Sequence, residues 1–179
     1  MEQNKQILIT FLLISLLFTS CSVYKTEVYK GKIEQNEFQN TYLKTKDYEG
    51  VIFSKSYIGI LNASENKITP TLQDIYSSEL ILKKGIREIN KGKPNQTDNF
   101  PIISENLRKY LRQYFGYVTS NGDTIIMINC FWKDESVKSK DITWKIEERI
   151  VLDGCSFFWS IKVNLTRKRL FDLSVNGCA

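Results

Sequence analysis

A chain without histidine cannot build a Ser-His-Asp triad, a Cys-His dyad or a His-ligated zinc site. This sequence has 179 residues, no His and four Cys. Cys21, Cys130, Cys155 and Cys178 are widely spaced and include no Cys-x-x-Cys pair, so neither a metal site nor a cofactor is expected. The most suggestive acid is Glu148. It falls on an alternating apolar run (Ile142, Trp144, Ile146, Ile150, Leu152) and is expected opposite Trp159. A carboxylate there either lines a pocket as an acid of raised pKa or sits at an edge beside Arg149 or a backbone donor. Trp132, Trp144 and Trp159 could form an aromatic platform for a sugar or peptide, or serve as core. Asp153-Gly154 is accounted for by a turn, and Lys133 to Lys140 by a solvated loop.

The remaining composition is that of a globular protein. Hydrophobic residues make up 42% and charged residues 25%, which is too apolar for a disordered tail. Lys plus Arg number 25 against 20 Asp plus Glu, a net charge of +5 with both signs mixed along the chain. So mild a balance serves solubility and gives no reason to expect a nucleic-acid partner.

The first twenty residues read as an address. Ile7 to Phe18 is an almost unbroken apolar run followed by Thr19-Ser20-Cys21. Twelve residues make about 18 Å of helix, short of the roughly 30 Å hydrocarbon core, so the run is a signal segment and not a membrane span. Small residues directly before a Cys resemble a bacterial lipobox, with Phe18 where Leu is more usual. The resemblance implies cleavage before Cys21, lipidation of its thiol (palmitate among the acyl chains) and stable anchoring, since more than one acyl chain is needed to hold a protein on a membrane. The alternative is an ordinary signal peptide with an incidental Cys. Ser22 and the absence of an acidic run after Cys21 favour the outer membrane, facing the periplasm. The expected organisation is a lipoprotein signal peptide over 1–20, an acylated tether over 21–49 and one domain over 50–179.

Within that domain, Val51 to Ile60 reads as a strand. Thr69-Pro70 starts a helix whose apolar spacing is carried by Leu72, Ile75, Leu82, Ile86 and Ile89, with Gly92 as its stop. A second helix is expected to present Ile103, Leu107, Tyr110, Leu111 and Tyr114 on one face. Ser120 to Asp123 is a hairpin turn before a strand over Thr124 to Trp132. The Ile142 to Leu152 run is expected to pair with Cys155 to Leu165, Ile150 facing Phe157 and Ile146 facing Ile161. A turn at Thr166 to Lys168 then leads into Phe171, Leu173 and Val175. The expected fold is α+β, with two amphipathic helices on one face of a long antiparallel meander, cystatin-like or NTF2-like in outline. That register separates Cys130 from Cys155 and favours a Cys155–Cys178 bridge, with Gly177 supplying a bulge and Cys130 left as a buried thiol.

The segments RQYFGYVTSNGDTIIMINCFW, VLDGCSFFWSIKVNL and FDLSVNGCA resemble a group of small uncharacterised Bacteroidota lipoproteins, over roughly Thr69 to Ala179. That pattern usually has Gly where Cys155 stands. The resemblance implies location and fold, and no activity or ligand. Two function classes follow. One is a non-enzymatic envelope lipoprotein that binds a protein, peptide or glycan, an inhibitor or immunity-type protein being one version. The other is a small hydrolase or isomerase whose pocket acid or base is Glu148.

Overall fold

The computed structural model describes residues 32–59, 66–96, 99–133 and 142–178. Eight strands form one open, mostly antiparallel sheet: β1 (Lys32–Gln35), β2 (Thr41–Lys44), β3 (Glu49–Ile52), β4 (Lys67–Ile68), β5 (Tyr110–Val118), β6 (Thr124–Trp132), β7 (Phe158–Asn164) and β8 (Arg169–Val175). Their spatial order is β1-β2-β3-β5-β6-β7-β8, with β4 paired to the far half of β5. The one parallel pairing joins β3 to β5. Because β1 and β2 belong to the sheet, residues 32–44, which were expected to be tether, are part of it.

The helix, α1 (Leu72–Ile89), forms where its apolar spacing places it. Its start lies two residues beyond the expected one. Thr71 is the N-cap, its hydroxyl accepting from the Asp74 N–H at 3.1 Å while the Asp74 carboxylate accepts from the Thr71 N–H at 2.9 Å. Asn90 closes the helix before Gly92 is reached. Ile75, Leu82 and Ile86 point into the sheet, and Gly85 lets α1 approach β8, since a Cβ there would stand 2.9 Å from Leu170.

Three expectations are corrected. The strand expected over Val51 to Ile60 is β3, which ends at Ile52, and residues 53–59 carry no strand. The second helix is absent among the described residues: two 3-10 turns (Ile103–Glu105 and Leu107–Lys109) lead directly into β5. Tyr110 to Val118 is rich in aromatic and branched residues and lies at the middle of the sheet, covered on both faces. The pleat then sends Tyr110, Arg112 and Tyr114 toward α1 and Leu111, Gln113 and Phe115 to the other side. The Ile142 strand is also absent. β7 pairs with β6 instead, bringing Ile128 opposite Ile161 and Cys130 opposite Trp159. The segment after Ile142 makes only one 3-10 turn (Thr143–Lys145) and crosses the far face of the sheet. The Ser120 to Asp123 hairpin turn stands as read, with Gly122 at φ 81° between β5 and β6; the β7–β8 turn is one residue longer than expected, over 165–168, and Asp153-Gly154 joins no pair of strands.

The sheet therefore has two cores. Ile52, Leu82, Tyr114, Ile128, Trp159 and Ile161 pack beneath α1. Val51, Phe53, Leu111, Phe115, Phe131 and Trp144 pack beneath the crossing segment. Cys155 and Cys178 are joined by a disulfide, tying the 3-10 turn Cys155–Phe157 to the chain beyond β8, where the Cys155 N–H also donates to the Gly177 carbonyl at 2.9 Å. Cys130 is a buried free thiol.

Candidate functional site

The residues singled out in the sequence do not converge. Cys21 lies outside the described residues. Trp144 is buried in the far-face core, edge-on to Tyr42 and Phe131. Trp159 is buried on the α1 face, edge-on to Tyr110, and Trp132 is also edge-on to that tyrosine. Trp132 keeps part of its surface, with Lys109 5.5 Å above the ring. Glu148 is half-buried on the crossing segment; its backbone N–H donates to the Tyr57 hydroxyl at 2.9 Å and its carboxylate packs against Gly59. It does not face Trp159, whose cross-strand partners are Cys130 and Val175.

A different set of side chains does converge, beside α1. A groove of about 770 Å³ runs between α1, the β2–β3 turn and the two 3-10 turns that precede β5. Its floor is a buried ion pair. The Arg112 Nε stands 2.9 Å from Glu79 Oε1, with the arginine side chain 1% and the glutamate 10% exposed. Elsewhere on the guanidinium, Nη1 donates to the Tyr110 carbonyl at 2.9 Å and Nη2 to the Leu107 carbonyl at 3.0 Å, and the Tyr48 ring lies 5.9 Å away. The Tyr114 hydroxyl donates to the same Glu79 oxygen at 2.8 Å. Glu79 Oε2 has neither contact and is not sealed from solvent, so it is the polar atom that the floor offers to the groove.

The charges balance inside this cluster. Burial raises the Glu79 pKa above the ordinary carboxylate range, and Arg112 and Tyr114 only partly offset it. Burial alone would lower the pKa of Arg112; the adjacent Glu79 holds it above the usual value, and the side chain remains a cation. Burial, then Glu79, pushes the Tyr114 phenol well up. The backbone is shaped to admit the cluster. Gly50 of β3 lies against Arg112 and Tyr114, where a Cβ would stand 2.7 Å from the Arg112 carbonyl oxygen.

The groove rim has the opposite character. Six cationic residues line the groove against three acidic ones. Asp47 is matched with Arg108 at 2.5 Å and Glu79 with Arg112. Lys83, Lys84 and Arg87, all exposed on α1, make no ion pair among the described residues. Tyr76 and Leu80 continue their row along the helix.

Sequence reasoning overlooked both floor residues, although each had a signal. Glu79 stands on the buried stripe of α1, four residues after Ile75 and three before Leu82. Arg112 stands between Tyr110 and Tyr114 and shares their face only when the segment is a strand. Among the described residues no group of three or more His, Cys, Asp or Glu is placed to hold a metal ion, and no helix is long and apolar enough to cross a membrane. Compared with models of protein families, with curated proteins and with solved structures, the chain matches none.

Proposed function

We propose that the protein is a lipid-anchored, non-enzymatic binding module of the cell envelope, held at Cys21 on the outer membrane facing the periplasm, and that its ligand occupies the groove beside α1. The anchor rests on the apolar run and Thr19-Ser20-Cys21. The single observation that carries the binding site is the groove itself: a concavity with a rigid, buried Arg112–Glu79 floor and an unpaired cationic rim. Two of its three acids, Asp47 and Glu79, are already tied in ion pairs, an arrangement suited to shaping a surface more than to moving protons. The pocket reading of Glu148 finds no support in this groove, which lies across the sheet from it.

The test uses the full chain extracted from its own envelope in non-ionic detergent and weighed by native mass spectrometry. The wild type should retain a bound component that the charge-reversed variant Lys83→Glu/Arg87→Glu has lost. Equal retention by that variant contradicts the groove. The Cys21→Ser protein should move to the soluble fraction, and its continued presence in membranes contradicts the anchor.

A further inference from the structure

We infer that the ligand of the groove is an acidic saccharide, an oligomer of hydroxyl-bearing rings that carry carboxylate or phosphate groups. The inference rests on the binding reading above and gives that ligand its chemistry.

Three features of the groove select it. The first is the rim. Tyr76, Leu80, Lys83 and Arg87 recur at helical spacing and form one row along α1, about 16 Å from end to end. A row of that length with cations at one end and an aromatic ring at the other suits an extended oligomer better than a single small anion. Its Lys83 and Arg87, with Lys84 alongside, have no ion-pair partner among the described residues, so the row is suited to meet a negatively charged ligand.

The second is the floor. Glu79 Oε2 is an acceptor that needs a donor. A cationic donor is disfavoured there, because Arg112 already occupies the ion-pairing side of Glu79 and the rim above is positive. A neutral donor fits, and a sugar hydroxyl is one. Arg112 itself is only 1% exposed and is turned to Glu79 and two backbone carbonyls, so at the floor it is Glu79 that meets a hydroxyl while the rim meets charge.

The third is the pair of tyrosines, Tyr48 and Tyr76, that line the groove. Aromatic rings supply a flat apolar surface with a polar tip, matched to the C–H face and hydroxyl edge of a sugar ring. An acidic peptide meets the rim but places far fewer hydroxyl donors beside its charges, and a neutral glycan meets the floor but leaves the cations unmatched.

The experiment is a calorimetric titration of the full chain in non-ionic detergent with four probes. They are oligogalacturonate, a phosphorylated oligomannose, a neutral cello-oligosaccharide of similar length and a polyglutamate of matched charge. At least one of the two acidic saccharides should bind about tenfold or more tighter than the neutral sugar and the polyglutamate. Which of the two binds identifies the acid group. Lys83→Ala/Arg87→Ala should weaken that binding about tenfold, with a shallower dependence on salt. Glu79→Gln should weaken it as well, and Tyr76→Leu, on the exposed side of α1, provides the same reading should the buried Glu79 variant fold poorly. Equal binding of polyglutamate or of the neutral sugar overturns the saccharide assignment and leaves the groove intact if the Lys83/Arg87 variant still loses it. Binding of acidic saccharide that is indifferent to every groove variant overturns both this inference and the groove. Binding of none of the four overturns the inference.

Discussion

Gln113 of β5 and Asn129 of β6 face each other across the sheet, and together they hold the segment that replaces the missing strand. The Gln113 amide nitrogen donates to the carbonyls of Trp144 at 2.8 Å and Glu147 at 2.7 Å. Its amide oxygen accepts from the Arg149 N–H at 2.8 Å and from the Asn129 amide at 3.0 Å, and Asn129 in turn donates to the Arg149 carbonyl at 2.9 Å. Asn36 and Asn40 add two more bonds to the Lys145 carbonyl. A run that would otherwise need a strand neighbour thus satisfies its backbone through amide side chains, and Trp144 is pressed into the far-face core.

Removing that fastening should be costly and local. Gln113→Leu leaves two carbonyls and one N–H of the crossing segment without their partner, so a loss of about 3 kcal/mol is expected in denaturant unfolding. Amide exchange should quicken at Trp144 to Arg149 while β6 and β7 stay protected. Unchanged exchange in that segment would show that Gln113 is not what holds it.

The floor of the groove obeys the rule for buried ion pairs. Arg112→Met strands the Glu79 carboxylate and should cost about 4 kcal/mol, whereas Glu79→Leu/Arg112→Met together should cost less than Arg112→Met alone. A double-mutant cycle by urea unfolding checks this. Additive losses would mean that the two side chains do not act as a pair.

These two polar clusters mark the limit of what the sequence makes legible. The Ser120 to Asp123 hairpin and the helix around Leu82 could be read because each depends on neighbours close in the chain, whereas the register shift between Ser160 and Lys162 puts Leu170, and not the expected Phe171, with Leu173 and Val175 on the α1 side. Leu107, Tyr110, Leu111 and Tyr114 could not be assigned in the same way. Their spacing satisfies a helix, and it equally satisfies a central strand buried on both faces, so only the sheet order decides. The Ile142 run alternates like a strand, yet Ile142, Ile150 and Leu152 end up exposed because Gln113, some thirty residues earlier, claims its backbone. Glu79 and Arg112 are 33 residues apart, and nothing local announces that a charge on a helix stripe will meet one on a strand.

Glu49 predicts an acid-side dependence. It sits at the start of β3, where burial pushes its carboxyl up, but hydrogen bonds from Lys133 at 2.6 Å and the Tyr42 hydroxyl at 3.0 Å bring it below its ordinary value of 4.5. A lowered carboxyl pKa contributes stability above the unfolded value that is lost as the pH falls through the folded one. Wild type should therefore exceed Glu49→Gln by about 1 kcal/mol at pH 7, and the gap should close as the pH is taken from 4.5 downward. A gap that persists in strong acid would contradict this assignment.

The cysteines give a chemical check. Burial pushes the Cys130 thiol far up, so it should resist alkylation in the native protein and react on unfolding without reductant. With Cys155 and Cys178 bridged, the chain from Cys130 onward should yield one thiol under those conditions and three after reduction. Loss of the bridge, which closes a loop with a sequence separation of 23, should cost about 3 kcal/mol.

The groove itself is tested most directly by lysine footprinting. The full chain is acetylated in its own envelope extract and again after purification away from bound components, and the modified sites are quantified by mass spectrometry. Lys83 and Lys84 should be shielded in the extract and reactive once purified, while Lys55 and Lys168, exposed and remote from the groove, should react equally in both. Equal reactivity of Lys83 and Lys84 in the two samples would contradict a ligand seated over the Arg112–Glu79 floor.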